Sequence, residues 1–187
     1  MIKKKYPPGL HGLKRTGRIS GYGIQFREKQ KAKRIYQILE KQFKNYFKKA
    51  QKLKKDTGQN LLRLLELRLD NVLYRSGLFS SRSASRQIVN HGHILINGRK
   101  VNIPSYQVKK GQIITFKQKI VKYLEEKLKT NNPLTPLVKG EYKGELEIPK
   151  WLFFDEKKLE LKIAEEPAKE NLPQDINTKL IVEIYSR

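Results

Sequence analysis

Between residues 24 and 76 the apolar positions recur at intervals of three and four, and between 94 and 116 they alternate, so the chain predicts helices followed by a small sheet. Ile35, Ile38 and Leu39 give an apolar edge to a helix opening near Ile24, whose other faces carry Arg27, Lys29, Lys31, Lys33 and Arg34. Leu39, Phe43, Tyr46, Phe47, Ala50 and Leu53 form one stripe of a second helix with Lys41, Lys44, Lys48, Lys49 and Lys52 on its back, and Asp56-Thr57-Gly58 ends it. Leu61, Leu62, Leu64 and Leu65, with Leu69, Val72 and Leu73, predict further helix up to a break at Ser76-Gly77.

Ser80 or Ser81 stands where a cap is needed for a short helix to about Asn90, with Ala84, Ile88 and Val89 inward and Arg82 and Arg86 one turn apart on a shared face. His91-Gly92 stops it. Ile94 and Ile96 then alternate into Asn97-Gly98, a pair suited to a type I′ hairpin because both central positions take positive φ, and Val101 and Ile103 bring the chain back. After a turn at Lys109-Lys110-Gly111, Ile113 to Phe116 add a further strand. Ile120, Val121, Leu124 and Leu128 predict a helix ending at Asn131-Asn132-Pro133, and a Pro- and Gly-punctuated connector reaches Pro149. Trp151 to Phe154 and the alternation Leu159, Leu161, Ile163 read as strands, and the last apolar cluster is Leu180, Ile181, Val182, Ile184 and Tyr185. No period of 20 to 50 residues repeats, which argues against a solenoid.

These elements predict an α+β protein of two domains. Residues 1–23 form an extended basic arm in which Gly21-Tyr22-Gly23 is a turn, 24–66 a mainly helical basic domain, 67–130 a compact module of helices backing a small antiparallel sheet, and 131–175 a connector with additional strands.

Charge changes the picture from fold to partner. Lys and Arg total 41 against 18 Asp and Glu, a formal charge of +23 with pI near 10.1. Residues 1–60 hold 18 cations and 3 anions, residues 61–120 hold 11 and 2, and the remainder 12 and 13, so the positive coat belongs to the first two thirds. A polyanionic partner follows. No Cys is present, which excludes disulfides and thiolate metal sites and fits a reducing compartment. Nor is there a run of about 18 apolar residues or a secretory leader, so a membrane location is not expected.

A helix N-terminus beside a basic hairpin offers backbone N–H groups and cations to phosphates, which makes RNA the expected ligand. The candidate contacts are Lys14, Arg15, Arg18, Arg27, Lys31, Arg34, Arg68, Ser80, Arg82, Ser83, Arg86, His93, Asn97, Arg99, Lys100 and Tyr106. Tyr106, between Pro104-Ser105 and a strand, is a candidate for base stacking, whereas Tyr74 reads as a core residue. His91 and His93 could share a side but have no Cys or nearby carboxylate to complete a metal site. Gly21-Tyr22-Gly23 lacks the third glycine of a dinucleotide fingerprint, and the serines around Arg82 lack an elbow motif and an acid–base partner. No cofactor and no catalytic constellation are expected.

Five stretches carry a family resemblance: Tyr6-Pro7-Pro8-Gly9-Leu10-His11-Gly12, Arg27-Glu28-Lys29-Gln30-Lys31, Leu67-Arg68-Leu69-Asp70-Asn71-Val72-Leu73-Tyr74-Arg75, Ile96-Asn97-Gly98-Arg99 and Tyr185-Ser186-Arg187. In this order, spread nearly end to end, they resemble the bacterial-type ribosomal protein S-four family. The central part alone resembles the small RNA-binding domain that the family shares with pseudouridine synthases, a heat-shock protein and tyrosyl-tRNA synthetases. The resemblance implies a primary assembly protein that binds a multi-helix junction of small-subunit ribosomal RNA, lies beside the channel by which messenger RNA enters, bears on translational accuracy, and neighbours the third and fifth small-subunit proteins. It also implies that the RNA module is inserted into the helical domain, with the C-terminal 176–187 packing back there, and that the protein is cytoplasmic, on the ribosome of a bacterium, an organelle-encoded origin being left open. Members carry a further N-terminal element, often with four Cys around zinc; this sequence begins just before Tyr6, so zinc is not expected.

Two other classes use the same module: an RNA-modifying enzyme and a ribosome-associated RNA chaperone. The enzyme needs a catalytic domain with an Asp, and the roughly 70 residues after Phe116 fall short of a typical domain of about 100. A free-standing chaperone has no need of the basic N-terminal helices that are present here.

Overall fold

The computed structural model describes residues 20–54, 56–129, 148–155 and 157–186. Lys14, Arg15 and Arg18, the arm that holds them, and most of the connector lie outside the described residues, as does the end of the helix expected at Asn131. Seven α-helices and five strands are present among those described: α1 (Gly21–Tyr36), α2 (Glu40–Gln51), α3 (Thr57–Glu66), α4 (Leu69–Arg75), α5 (Arg82–Asn90), β1 (Ile94–Ile96), β2 (Arg99–Val101), β3 (Ile113–Phe116), α6 (Gln118–Lys129), β4 (Leu152–Asp155), β5 (Glu160–Ile163) and α7 (Thr178–Ser186).

Two hydrophobic cores divide these elements. The first joins Ala32, Tyr36 and Ile38 to Phe43, Phe47 and Ala50, to Leu61, Leu62 and Leu65, and to Ile181. It is a helical lobe in which α7, the last element, packs on α1 and α3. The second core takes Leu69, Val72, Leu73 and Val89 from α4 and α5, Ile94, Ile96, Ile114, Phe116, Leu161 and Ile163 from the sheet, and Ile120 and Leu124 from α6. Its sheet has the order β2-β1-β3-β5-β4, every pair antiparallel. The two strands after the connector therefore extend the sheet that the hairpin begins. Asn97 and Gly98 both adopt left-handed φ, 49° and 78°, as the two-residue turn demands.

Four sequence expectations need correction. Gly21-Tyr22-Gly23 is not a turn of the arm but the first turn of α1, because the Ser20 hydroxyl accepts a hydrogen bond from the Gly23 N–H at 3.1 Å and caps the helix there. Asp56-Thr57-Gly58 does not end α2 but starts α3, the Asp56 carboxylate accepting from Gly58 N–H at 2.8 Å. Leu39 and Leu53 lie off the apolar stripe of α2, exposed by 75% and 47%, since α2 spans only Glu40–Gln51 and the helical spacing does not hold beyond its ends. The leucine run is two helices: Arg68 is extended, with φ −68° and ψ 137°, and pairs as a β-bridge with Gln107.

Candidate nucleic-acid interface

The two lobes meet at a pair of buried carboxylates. Glu66 closes α3 and Asp70 opens α4, and they are 1% and 2% exposed. A buried carboxylate must be paired, and both are. Glu66 accepts from the Tyr36 hydroxyl at 2.6 Å, from Asn71 Nδ2 at 2.8 Å, and from Arg75 Nε and Nη2 at 3.0 and 2.8 Å. Asp70 accepts from Arg68 Nε and Nη2 at 3.0 and 2.8 Å and from Arg86 Nε and Nη2 at 3.0 and 2.8 Å. Burial pushes the Tyr36 hydroxyl well above its ordinary value, and the Glu66 charge adds to the rise. Burial opposes the charge of Arg68 and of Arg75, yet the paired carboxylates prevail and hold both above the usual arginine value.

This node sorts the arginines predicted to contact RNA. Arg68 is enclosed at 2% exposure, with Tyr46 Oη accepting from Nη1 at 3.0 Å, so it presents no face to a surface ligand. Arg86 and Arg82 do share a face of α5, but that face is turned toward α1 and α4. Arg86 donates to the Gln37 and Tyr36 carbonyls at 2.7 and 3.3 Å, clamping the C-terminal end of α1, where orphan carbonyls favour a cation. Arg82 donates from Nε to Asn71 Oδ1 at 2.8 Å and lies 4.3 Å over the Tyr74 ring and 5.2 Å over the Tyr36 ring. Its terminal nitrogens make no hydrogen bond among the described residues. Burial draws Arg82 below the usual arginine value.

Ser81, not Ser80, caps α5, accepting from Ala84 N–H at 3.1 Å. Ser83 donates to Gln37 Oε1 at 2.6 Å, so α5 is fastened to the end of α1 at a second point. One turn before Gln37 stands Arg34, which shares an exposed stripe of α1 with Arg27 and Lys31. With Phe26, Gln30 and Ile35 these three line an open groove of about 600 Å³. Lys31 is partly engaged, donating to the Asp175 carbonyl and lying 3.6 Å from Glu28, whereas Arg27 and Arg34 have no ion pair among the described residues.

Arg99 and Lys100 are exposed on β2, and the Lys100 stem crosses directly over Gly92 at the end of α5. Asn97 serves the turn, its Oδ1 accepting from Ile113 N–H at 2.9 Å. Tyr106 is half-buried against the second core and its hydroxyl accepts from Gln112 Nε2 at 3.0 Å. His93 is half-buried beside β1. Among the described residues no three His, Asp or Glu converge to hold a metal ion, and no helix is long and apolar enough to cross a membrane.

The residues that sequence reasoning missed are the organisers Tyr36, Gln37, Glu66, Asp70 and Asn71. Their signal was present: Glu66 and Asp70 stand four apart inside a leucine run, where the period assigns them to the core.

Comparison with known proteins adds a second line. A family model described as Ribosomal protein S4/S9 N-terminal domain matches residues 1–66, and one described as S4 domain matches residues 67–114. The chain is 48% identical over 187 residues to small ribosomal subunit protein uS4A of Alkaliphilus metalliredigens, an alignment covering 100% of this chain and 84% of that one. It is 49% identical to uS4 of Halothermothrix orenii and 48% identical to uS4 of Clostridium tetani, each alignment covering 99% of this chain and 84% of the relative.

Proposed function

The chain belongs to the small ribosomal subunit protein uS4 family, and from that premise we propose that it binds a multi-helix junction of small-subunit ribosomal RNA and helps to nucleate assembly of the subunit. It is a ribosomal protein and not an enzyme, as its relatives are. The observation that carries the reading is the colinear identity over all 187 residues, which takes in the basic helical lobe and the sheet module together.

The geometry supplies a physical reason. Of the cations expected at the interface, Arg27 and Arg34 on α1 and Arg99 and Lys100 on β2 are exposed and form no ion pair among the described residues. Cations left open on a folded surface cost little in water and gain by displacing counterions from phosphates. Arg68, Arg75 and Arg86 are spent on the buried carboxylates and set the angle between the lobes. The first group grips and the second holds the grip in shape.

The finer reading is that Lys14, Arg15 and Arg18 lie along the channel by which messenger RNA enters, that the protein affects translational accuracy, and that the third and fifth small-subunit proteins are its neighbours. Cross-linking the protein in cells to total RNA and sequencing the attached fragments tests this. Fragments concentrated at one junction of small-subunit ribosomal RNA are expected; recovery of transfer RNA, or of no discrete site, overturns the proposal.

A further inference from the structure

We propose that Glu28 is a positioning residue of the RNA grip on α1. With the acidic segment 165–177 it walls one edge of the stripe formed by Arg27, Lys31 and Arg34, holds Lys31 back, and thereby sets how well the chain discriminates its own RNA from other polyanions. This rests on the reading that the chain binds RNA.

Glu28 is the one acidic residue of α1, set between Arg27 and Lys29 in a helix that otherwise presents cations. A carboxylate there weakens the attraction for phosphates, so it needs a physical reason. Its Oε1 accepts from the Asn177 N–H at 2.8 Å and stands 3.6 Å from Lys31 Nζ, and Lys31 in turn donates to the Asp175 carbonyl. One oxygen thus joins α1, a lysine of its exposed stripe and the chain just before α7. The side chain is only 17% exposed, where an ionised group is retained at a cost. A glutamine oxygen could accept from Asn177 equally well. What the carboxylate adds is charge, which draws Lys31 toward the segment and opposes a phosphate approaching from that side.

The remaining cations of α1 are sorted by their partners. Lys29 and Lys33 pair with Glu40 on α2 at 2.9 and 2.8 Å, whereas Arg27 and Arg34 have no ion pair among the described residues. Beyond Lys31 the positive surface stops. Segment 165–177 carries Glu165, Glu166, Glu170 and Asp175 against Lys169 alone, all of them exposed. Leu172 and Ile176, buried in the first core, fix the segment in place, and Glu166 reaches Arg63 of α3 at 3.4 Å. An RNA backbone seated on Arg27 and Arg34 keeps to the cationic side. A polyanion that spreads past Lys31 meets like charge, which is how a surface rejects a wrong partner.

Filter binding of the full chain to transcribed small-subunit ribosomal RNA and to poly(U), each over a salt series, measures the discrimination. In Glu28→Gln the ratio of the two affinities should fall about threefold to tenfold, and the slope of log K against log salt for poly(U) should steepen by about 0.7 as Lys31 is released to a phosphate. Glu165→Gln, Glu166→Gln and Glu170→Gln combined, all at exposed positions, should lower the ratio about tenfold with the circular dichroism unchanged. Two affinities that move by one common factor in these variants, or that do not move, overturn the wall while the RNA reading stands; a merely structural role for Glu28 gives that result, because a loosened segment weakens both RNAs alike. A wild-type chain that holds both RNAs equally well overturns the RNA reading and the wall with it.

Discussion

Arg86 on α5 lays Nε and Nη2 on one oxygen of Asp70, at 3.0 and 2.8 Å, and turns Nη1 to the Gln37 carbonyl at 2.7 Å, so one side chain joins α4, α5 and the end of α1. The Asp70 carboxylate is nearly inaccessible and also carries Arg68. Asp70→Asn leaves two guanidiniums without their counter-charge, one of them buried, and should cost about 3 to 5 kcal/mol of stability. Urea denaturation measures it; a loss below about 1 kcal/mol would mean that the pair is relaxed by water.

Arg86→Lys separates charge from shape. Lysine keeps the positive charge but cannot span a carboxylate and a carbonyl with a planar fork. The variant should be destabilised by about 1 to 3 kcal/mol, with the salt dependence of RNA binding unchanged. Stability equal to that of the parent would show that the clamp on Gln37 contributes nothing.

Glu40 and Tyr185 give the helical lobe a pH signature. Burial alone would raise Glu40, but hydrogen bonds from Lys33, Lys29 and Tyr185 outweigh it and bring the carboxyl from 4.5 to about 2. A folded value below the unfolded one means that the contribution is complete above pH 4.5 and is lost as the pH falls toward 2. Burial first, then the hydrogen bond to Glu40, raises the Tyr185 hydroxyl well above 10.0, so its contribution is complete below pH 10.0 and declines as the pH rises beyond it. Thermal melts of Glu40→Gln should show a flatter acid limb and those of Tyr185→Phe a flatter alkaline one. Unaltered limbs in both variants would separate the pair from the lobe's stability.

Gly58 tests how α7 is seated. A Cβ there would stand 2.5 Å from Thr178 Cβ at the start of α7, a contact that backbone must yield to relieve. Gly58→Ala should therefore lower stability by about 1 to 3 kcal/mol, although alanine is the better helix former. Gly98→Ala is the contrast: its built Cβ meets nothing within 4 Å, and its cost is that of φ +78° alone. Stabilisation by Gly58→Ala would place α7 away from α3.

Much of the frame was readable from the chain. The stripe of Phe43, Tyr46, Phe47 and Ala50, the alternation of Ile94 and Ile96, and the Asn97-Gly98 turn are local signals whose physics is complete within a few residues. The roles of the arginines were not. Arg27, Arg68 and Arg86 are alike as letters, and what separates them is the distance to one carboxylate, Asp70, fixed by tertiary packing. The exposure of Leu39 has the same origin: the left-handed Gln37, φ 53°, breaks α1 from α2, and no periodicity across that break survives.

The central claim is a division of labour between open and buried cations, and the salt dependence of binding to small-subunit ribosomal RNA separates the two most directly. Arg27→Ala, Arg34→Ala and Arg99→Ala combined should reduce the slope of log K against log salt by about 2 with the fold intact, while Arg86→Lys leaves the slope as it was. A triple variant that keeps the full slope, or an Arg86→Lys variant that loses it without unfolding, would contradict the account.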